Sequence, residues 1–322
     1  MSGRTSIEWT DRNWPFARGC QRVSPGCQNC YAERMAARFS DPGLWAHGYA
    51  ERTAAGPRWT GRVDLMPGEL LAPLRVRKPS RFFPSTIDPF HEGLSFHQIA
   101  AAFGVMAAAP DHTFQILTKR AERMREFFAW AAREDRVGGG VNTCVTAMYG
   151  IDEVNTYLTR GDAGKACLGE GEYDYLITDP PDWPLLNVWL GVSVENQQRA
   201  DERIPLLLQT PAAVHWVSAE PLLGPVDLTR YLHESNCEYG GYDNLPCVCG
   251  EPLEGRVDWV VVGGESGPRA RPMDEDWVRS LRDQCGSAGV PFFYKQRLVN
   301  GKKVGTPELD GRTWVEFPEV RA

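Results

Sequence analysis

The chain reads as an α/β protein, a largely parallel sheet with helices outside it, and three observations predict this. Six short apolar runs alternate with segments of helical spacing, the order that builds strand–helix–strand units. Runs such as Trp259-Val260-Val261-Val262 are apolar at every position, as strands covered on both faces are. Charged or hydroxyl residues recur directly after the runs, and parallel strands gather their carboxyl ends at one mouth.

Taken in order, residues 31–39 have helical spacing with Met35 and Phe39 on one face. A loop rich in Gly, Pro and Trp follows over residues 41–68. Strands are predicted at 81–85, 113–118, 187–193, 213–218, 257–263 and 290–294. Helices are predicted at 97–108, 121–133, 196–208 and 275–288. Two segments break the alternation, residues 138–183 and 233–255, and read as loop insertions in a single domain spanning 1–322. Cys144 and Cys167 are too isolated to be ligands, and Cys285 falls within a helix as a small core residue.

Of the 322 residues, 42% are hydrophobic and 24% charged, enough for a large core. No apolar run approaches ~18 residues, which excludes a membrane-spanning helix, and the first residues lack the apolar stretch of a secretory signal. Nine cysteines without small-domain spacing fit a reducing cytoplasm in which thiols serve metals. The net charge of −7 argues against a nonspecific polyanion binder. A local basic face remains open, from Arg75, Arg77, Lys78 and Arg81 or from Lys119, Arg120, Arg123 and Arg125. The alternative is two solvated surfaces.

Cys20, Cys27 and Cys30 form a C-x6-C-x2-C pattern. Pro25-Gly26 turns the first two thiols toward each other, and the short second gap brings in the third. Three thiolates on one loop suit a [4Fe-4S] cluster whose fourth iron stays open to a small ligand. Structural zinc wants a fourth ligand, for which Asp11, Glu33 and Asp41 are poor substitutes; unrelated thiols are the remaining alternative. His233, Cys237, Cys247 and Cys249 could hold a second metal, or the three cysteines could be free thiols.

The strand ends carry Ser85 and Asp88; Lys119 and Arg120; Ser193, Glu195 and Asn196; Ser218 and Glu220; Gly263-Gly264-Glu265-Ser266; and Lys295-Gln296. Glu195 and Glu220 would either bind substrate or pair with Lys119, Arg120 and Lys295 inside the mouth. His91 would reach the pocket or lie in a solvated loop, and Tyr31 would pack or relay a hydrogen atom. A cluster with an open iron can chelate S-adenosylmethionine and cleave it reductively, the cofactor supplying the difficult chemistry.

In Ile7-Glu8-Trp9-Thr10-Asp11, residues 19–34, Asp88-Pro89-Phe90-His91-Glu92, residues 114–120, 189–203, 217–225, 259–271 and 291–296, the chain resembles an uncharacterised, phage-associated three-cysteine family of the radical S-adenosylmethionine superfamily, similar in style to spore photoproduct lyase. The resemblance implies a partial (β/α)6 TIM-type barrel, a [4Fe-4S] cluster on Cys20, Cys27 and Cys30, S-adenosylmethionine and an external electron donor. Two features depart from the superfamily: the first gap has six residues rather than three, and Asn29 replaces the aromatic before the last cysteine. The Gly-Gly-Glu that should end the second strand instead ends the sixth, so its amino-group role is not carried to Glu265. Ser85 and Asp88 are the positional candidates, with Lys119 and Ser193 beside the cofactor and Lys119, Glu195 and Glu220 as catalytic candidates. The implied substrate is a nucleobase, a modified thymine rearranged in phage DNA within the host cytoplasm. The alternatives are repair of a damaged base and a noncatalytic iron–sulfur regulator that binds nucleic acid.

Overall fold

The computed structural model describes residues 3–135, 141–151, 183–233, 255–267 and 269–319. The strands are β1 (Gly3–Arg4), β2 (Arg12–Asn13), β3 (Ala17–Arg18), β4 (Ala50–Thr53), β5 (Gly56–Trp59), β6 (Asp64–Leu65), β7 (Arg81–Phe83), β8 (Thr113–Thr118), β9 (Val188–Ser193), β10 (Val214–Ala219), β11 (Trp259–Gly263), β12 (Phe292–Val299), β13 (Lys302–Gly305), β14 (Glu308–Leu309) and β15 (Arg312–Thr313). The helices are α1 (Tyr31–Arg38), α2 (Pro67–Leu70), α3 (Phe96–Ala107), α4 (Ala121–Glu134), α5 (Val141–Tyr149), α6 (Gln197–Leu208) and α7 (Glu275–Ala288).

All six predicted strands form. The central sheet runs β1-β2-β7-β8-β9-β10-β11-β12-β13. The pairs from β2 to β12 are parallel and the two outermost pairs antiparallel. The parallel run therefore has seven strands rather than six, because the two-residue β2, too short for a periodic signal, pairs with β7. Among the described residues no pair joins β1 to β13, so the sheet does not close.

The helices settle on one face. Val188, Leu190 and Val192 of β9, Val260 and Val262 of β11 and the apolar sides of α3, α4, α6 and α7 share one core. The alternate strand positions meet around Trp9, with Trp189, Val214, Trp216, Trp259, Val261 and Phe293. Trp9 lies 4.6 Å from Phe83 of β7 and 6.1 Å from Trp259 of β11, centroid to centroid. A flat sheet would separate these strands by roughly 19 Å, so the sheet must curl around the indole. Lys303 of β13 reaches Glu8 at 2.9 Å, and side chains thus span the gap the ladder leaves open.

Three local expectations change. Helix α1 buries Ala32, Glu33, Ala36 and Ala37 rather than a Met35–Phe39 face, because its neighbour is the β4–β5 hairpin, which lies within the predicted loop. Helix α5 occupies the start of the first insertion; its Cys144, Val145 and Met148 are fully buried in the core shared with α3. Cys285 is buried in α7 as expected. No helix among the described residues is long and apolar enough to cross a membrane.

Gly191 lies directly against the Trp216 indole of the neighbouring strand. A Cβ there would sit 2.5 Å from the Trp216 ring, and a buried indole has no room to retreat. Gly191→Ala is expected to cost about 1–3 kcal/mol in urea unfolding. Gly286→Ala, whose added Cβ meets nothing within 4 Å, should instead stabilise by roughly 0.5–1 kcal/mol.

Candidate functional site

The cysteine loop leaves the first parallel strand region and crosses the carboxyl ends of the others. Its entry is fixed by Gly19, which has φ +94° and whose missing Cβ leaves room for the Arg62 carbonyl. Its exit is α1, with Cys30 at the N-cap and its thiol facing the backbone N–H groups of Glu33 and Ala32.

Cys20, Cys27 and Cys30 line one cavity of ≈150 Å³ together with Ser85, Asp88, Lys119 and Ser193. The fold thus gathers these seven candidates, drawn from four separate segments, around one space. Glu195 and Glu220 are not among the residues lining it. Cys167, Cys237, Cys247 and Cys249 lie outside the described residues.

Burial pushes the Cys20 thiol up to about 12, with the Asp88 carboxylate adding to the effect. Burial likewise raises Cys30, against the opposing pull of the α1 amides. Without a metal the Cys20 and Cys30 thiols are thus biased toward the protonated form, a preference that a bound multivalent cation reverses. Tetrahedral zinc at about 2.3 Å from each sulfur needs ligands within roughly 4 Å of one another. Among the described residues no three His, Cys, Asp or Glu side chains gather closely enough for a single ion. A four-iron cube takes one thiolate per iron and spreads them further. The substitutes for a fourth ligand are engaged elsewhere: Asp11 with Arg81, Glu33 with Arg22 and Asp41 with Arg52.

Three carboxylates hold the loop. Glu33, 1% exposed, accepts from Arg22 Nε at 3.0 and 2.9 Å and from Trp59 N at 3.0 Å. Glu195, fully buried, accepts from Gly26 N at 3.2 Å and pairs with Arg203 at 2.9 Å. Glu265 accepts from Asn29 Nδ2 and from Arg271 N, each at 2.8 Å. The Arg271 guanidinium pairs with Glu265 and donates onward to the Pro25 carbonyl at 2.9 Å. Glu195 therefore anchors the loop at the Gly26 amide while its charge is met by Arg203, a partner outside the expected cations. Asn29, in the position of the missing aromatic, ties the loop to Glu265.

The remaining candidates separate clearly. Asp88 accepts from Thr118 Oγ1 at 2.6 Å and from Phe90 N at 3.1 Å on one oxygen. On the other it accepts from Lys119 N and Arg120 Nη1, each at 3.0 Å. It ties two strand ends together at the cavity wall. Ser85 donates to Asn13 Oδ1 at 2.8 Å, joining the β7 end to β2. Glu220 pairs with Lys295 at 2.8 Å, one of the two expected arrangements, and Lys295 Nζ lies 5.6 Å from the Trp9 ring centroid. This ion pair caps the aromatic interior. His91 is buried and accepts from Gly93 N at 2.9 Å, so it is neither a solvated loop residue nor among those lining the cavity. Tyr31 is 59% exposed and does not pack.

The two basic segments also differ. Arg75, Arg77 and Lys78 are exposed but precede β7, at the amino ends of the strands and opposite the cysteine cavity. Arg120 is buried against Asp88 and Glu92 at 3.0 and 2.8 Å. Arg203 and Arg271 were missed by the sequence reading. Arg203 sits on the Ala200–Ile204–Leu207 stripe of α6, and a cation on an apolar helical stripe signals a buried partner.

A mostly parallel α/β sheet presenting a three-cysteine cavity at its carboxyl ends defines the class of protein. The chain belongs to the family described as "Protein of unknown function (DUF5131)", whose model matches residues 4–318. Comparison with curated proteins and with solved structures returned no significant match.

Burial opposes ionisation of Glu195 and Glu265, but Arg203 for the first and Arg271 for the second hold both below their ordinary value of 4.5. Carboxyls depressed in the folded state stabilise it fully above the unfolded pKa, and that contribution is lost as pH falls through the folded values. Thermal melts should therefore fall progressively below about pH 4.5. In Glu265→Gln that acid limb should be shallower, and residues 25–29 should exchange amide hydrogen faster at neutral pH.

Proposed function

We propose that the chain is a radical S-adenosylmethionine enzyme built on a partial barrel, with a [4Fe-4S] cluster on Cys20, Cys27 and Cys30. One observation carries this reading: the three thiols and the four strand-end residues Ser85, Asp88, Lys119 and Ser193 line a single cavity. When bound and reduced by an external donor, such a cluster supplies one electron that breaks the sulfonium C–S bond, yielding methionine and a 5′-deoxyadenosyl radical.

The protein's part is positioning and exclusion of water. Glu33, Glu195 and Glu265 fix the loop before any ligand binds, so the thiols are not reorganised at the moment of reaction. Ser85 and Ser193 offer hydroxyls to the cofactor's polar end, and Lys119 offers an ammonium that pairs with no carboxylate among the described residues. Asp88 acts through Thr118, Lys119 and Arg120 as a positioning residue. Trp9 and the Lys295–Glu220 pair close the interior beneath.

The substrate we propose is a nucleobase, rearranged within modified DNA or repaired after damage. The exposed Arg75–Lys78 segment lies at the opposite end of the strands, which favours a substrate presented as a single nucleotide over a duplex docked on that patch. A noncatalytic iron–sulfur regulator is the contrasting reading.

Anaerobically reconstituted protein is expected to carry about four iron and four sulfide per chain and to release 5′-deoxyadenosine with dithionite and S-adenosylmethionine. The variant with Cys20, Cys27 and Cys30 changed to Ala should do neither. Zinc without sulfide in the native protein would falsify the cluster, whereas a full cluster that never yields 5′-deoxyadenosine would favour the regulator.

A further inference from the structure

Beside the cysteine cavity lies a second, of ≈590 Å³, between α4 and α6. Val23, Lys119 and Arg120 line both cavities, so the two adjoin at one partition. Arg123, Arg199 and Arg203 add further cations to the second.

Its guanidinium groups are incompletely used. Arg120 Nη2, Arg123 Nε and Arg199 Nε are buried and have no hydrogen-bond partner. The Arg120 side chain is only 5% exposed and already pairs with Asp88 and Glu92, yet one N–H arm is left over. The Lys119 ammonium at the partition is also unpaired among the described residues. Leaving charged donors buried without acceptors is costly, and a ligand supplying several acceptors at once would remove that cost.

We infer that this second cavity binds the phosphoryl group of a nucleotide substrate whose reacting end enters the cysteine cavity past Val23. Three unused guanidinium N–H groups and an ammonium exceed what one carboxylate accepts in a bidentate pair, and they suit the three terminal oxygens of a phosphate. The lining also holds Glu92, Glu122, Glu126 and Glu202, so five cations face four acids. That balance provides a discrete anion site and not the continuous basic field that a long polyanion demands. Arg203 is committed to Glu195; Arg199 pairs with Glu202 and Arg123 donates Nη2 to the Leu94 carbonyl, so the phosphate donors are the Lys119 ammonium and the arms those contacts leave over, Arg120 Nη2, Arg123 Nε and Arg199 Nε.

The inference rests on the preceding reading only for which end of the ligand reacts. Calorimetry on the full-length chain, without reductant, can compare thymidine, thymidine 5′-monophosphate, inorganic pyrophosphate and tetrathymidylate. The monophosphate is expected to bind at least about tenfold more tightly than the nucleoside, and pyrophosphate should compete with it. Equal affinity of monophosphate and tetranucleotide identifies a free nucleotide, whereas a clear preference for the tetranucleotide identifies a phosphate within a strand. Arg199→Gln, on a partly exposed side chain, and Lys119→Gln should each reduce the nucleotide-over-nucleoside ratio, while the remote Arg312→Gln should not. Equal binding of nucleoside and nucleotide, or a ratio unchanged in both variants, overturns the phosphate site. Iron and sulfide measured on the same preparations keep the two readings apart: an intact cluster without phosphate preference defeats this one alone, and phosphate preference without a cluster defeats the other alone.

Discussion

One indole sets the curvature on which everything else depends. Trp9 reaches Phe83, Trp216 and Trp259 at 4.6, 5.3 and 6.1 Å, three strands that a flat sheet would hold well apart. Edge-to-face packing of this kind adds about 0.5–1.5 kcal/mol per pair beyond the area buried, and the sheet bends to collect it. Gln115, inside the sheet, donates to the Trp9 carbonyl at 3.1 Å, so the backbone of the plug is held as well as its ring. Bending brings the carboxyl ends of β7, β8 and β9 toward one point. Ser85, Lys119 and Ser193 share a cavity for that reason.

Charge at those ends is spent chiefly on architecture. Burying Glu195 completely is tolerable only because Arg203 and the amide of Gly26 meet it; a buried carboxylate stripped of its partner costs about 3–5 kcal/mol. Glu33 and Glu265 follow the same pattern with Arg22 and Arg271. The loop that holds the three thiols has only one short 3-10 turn, Pro25–Cys27, and these carboxylates supplement its few backbone bonds. In the Gly263-Gly264-Glu265 sequence, Gly263 leaves room for Glu220, where a Cβ would approach Oε1 to 2.8 Å, and Glu265 holds Asn29 of the loop.

Much of this fold was legible because continuous apolar runs and amphipathic spacing are strong signals. Helix α7 begins and ends where its spacing places it, and β8 through β11 fall within a residue or two of the runs that mark them, whereas β12 continues five residues past its apolar run, to Val299, because β13 pairs with that extension. Arg12–Asn13 could not be read as a strand, since two residues carry no period and β7 supplies their pairing. Helix α5 was hidden in a Gly- and Asp-rich stretch whose apolar residues matter only once α3 lies against them. The cavity residues were legible as a set through their positions after successive strands. Their partners were not, because ion pairs such as Glu265–Arg271 or Glu33–Arg22 depend on loop paths that no periodicity encodes.

The six-residue first gap then has a structural meaning. A three-residue gap joins two cysteines and leaves little chain to do anything else. Here the added length carries Arg22 to Glu33, Gly26 to Glu195 and Pro25 to Arg271, so each anchor lies within or beside the insertion. Between those anchors Val23 remains 39% exposed and stands between the two cavities. An apolar side chain left in the open on an otherwise tied loop is explained if a ligand passes over it. The six-residue gap thereby both secures the thiols and sets Val23 at the partition between the two cavities.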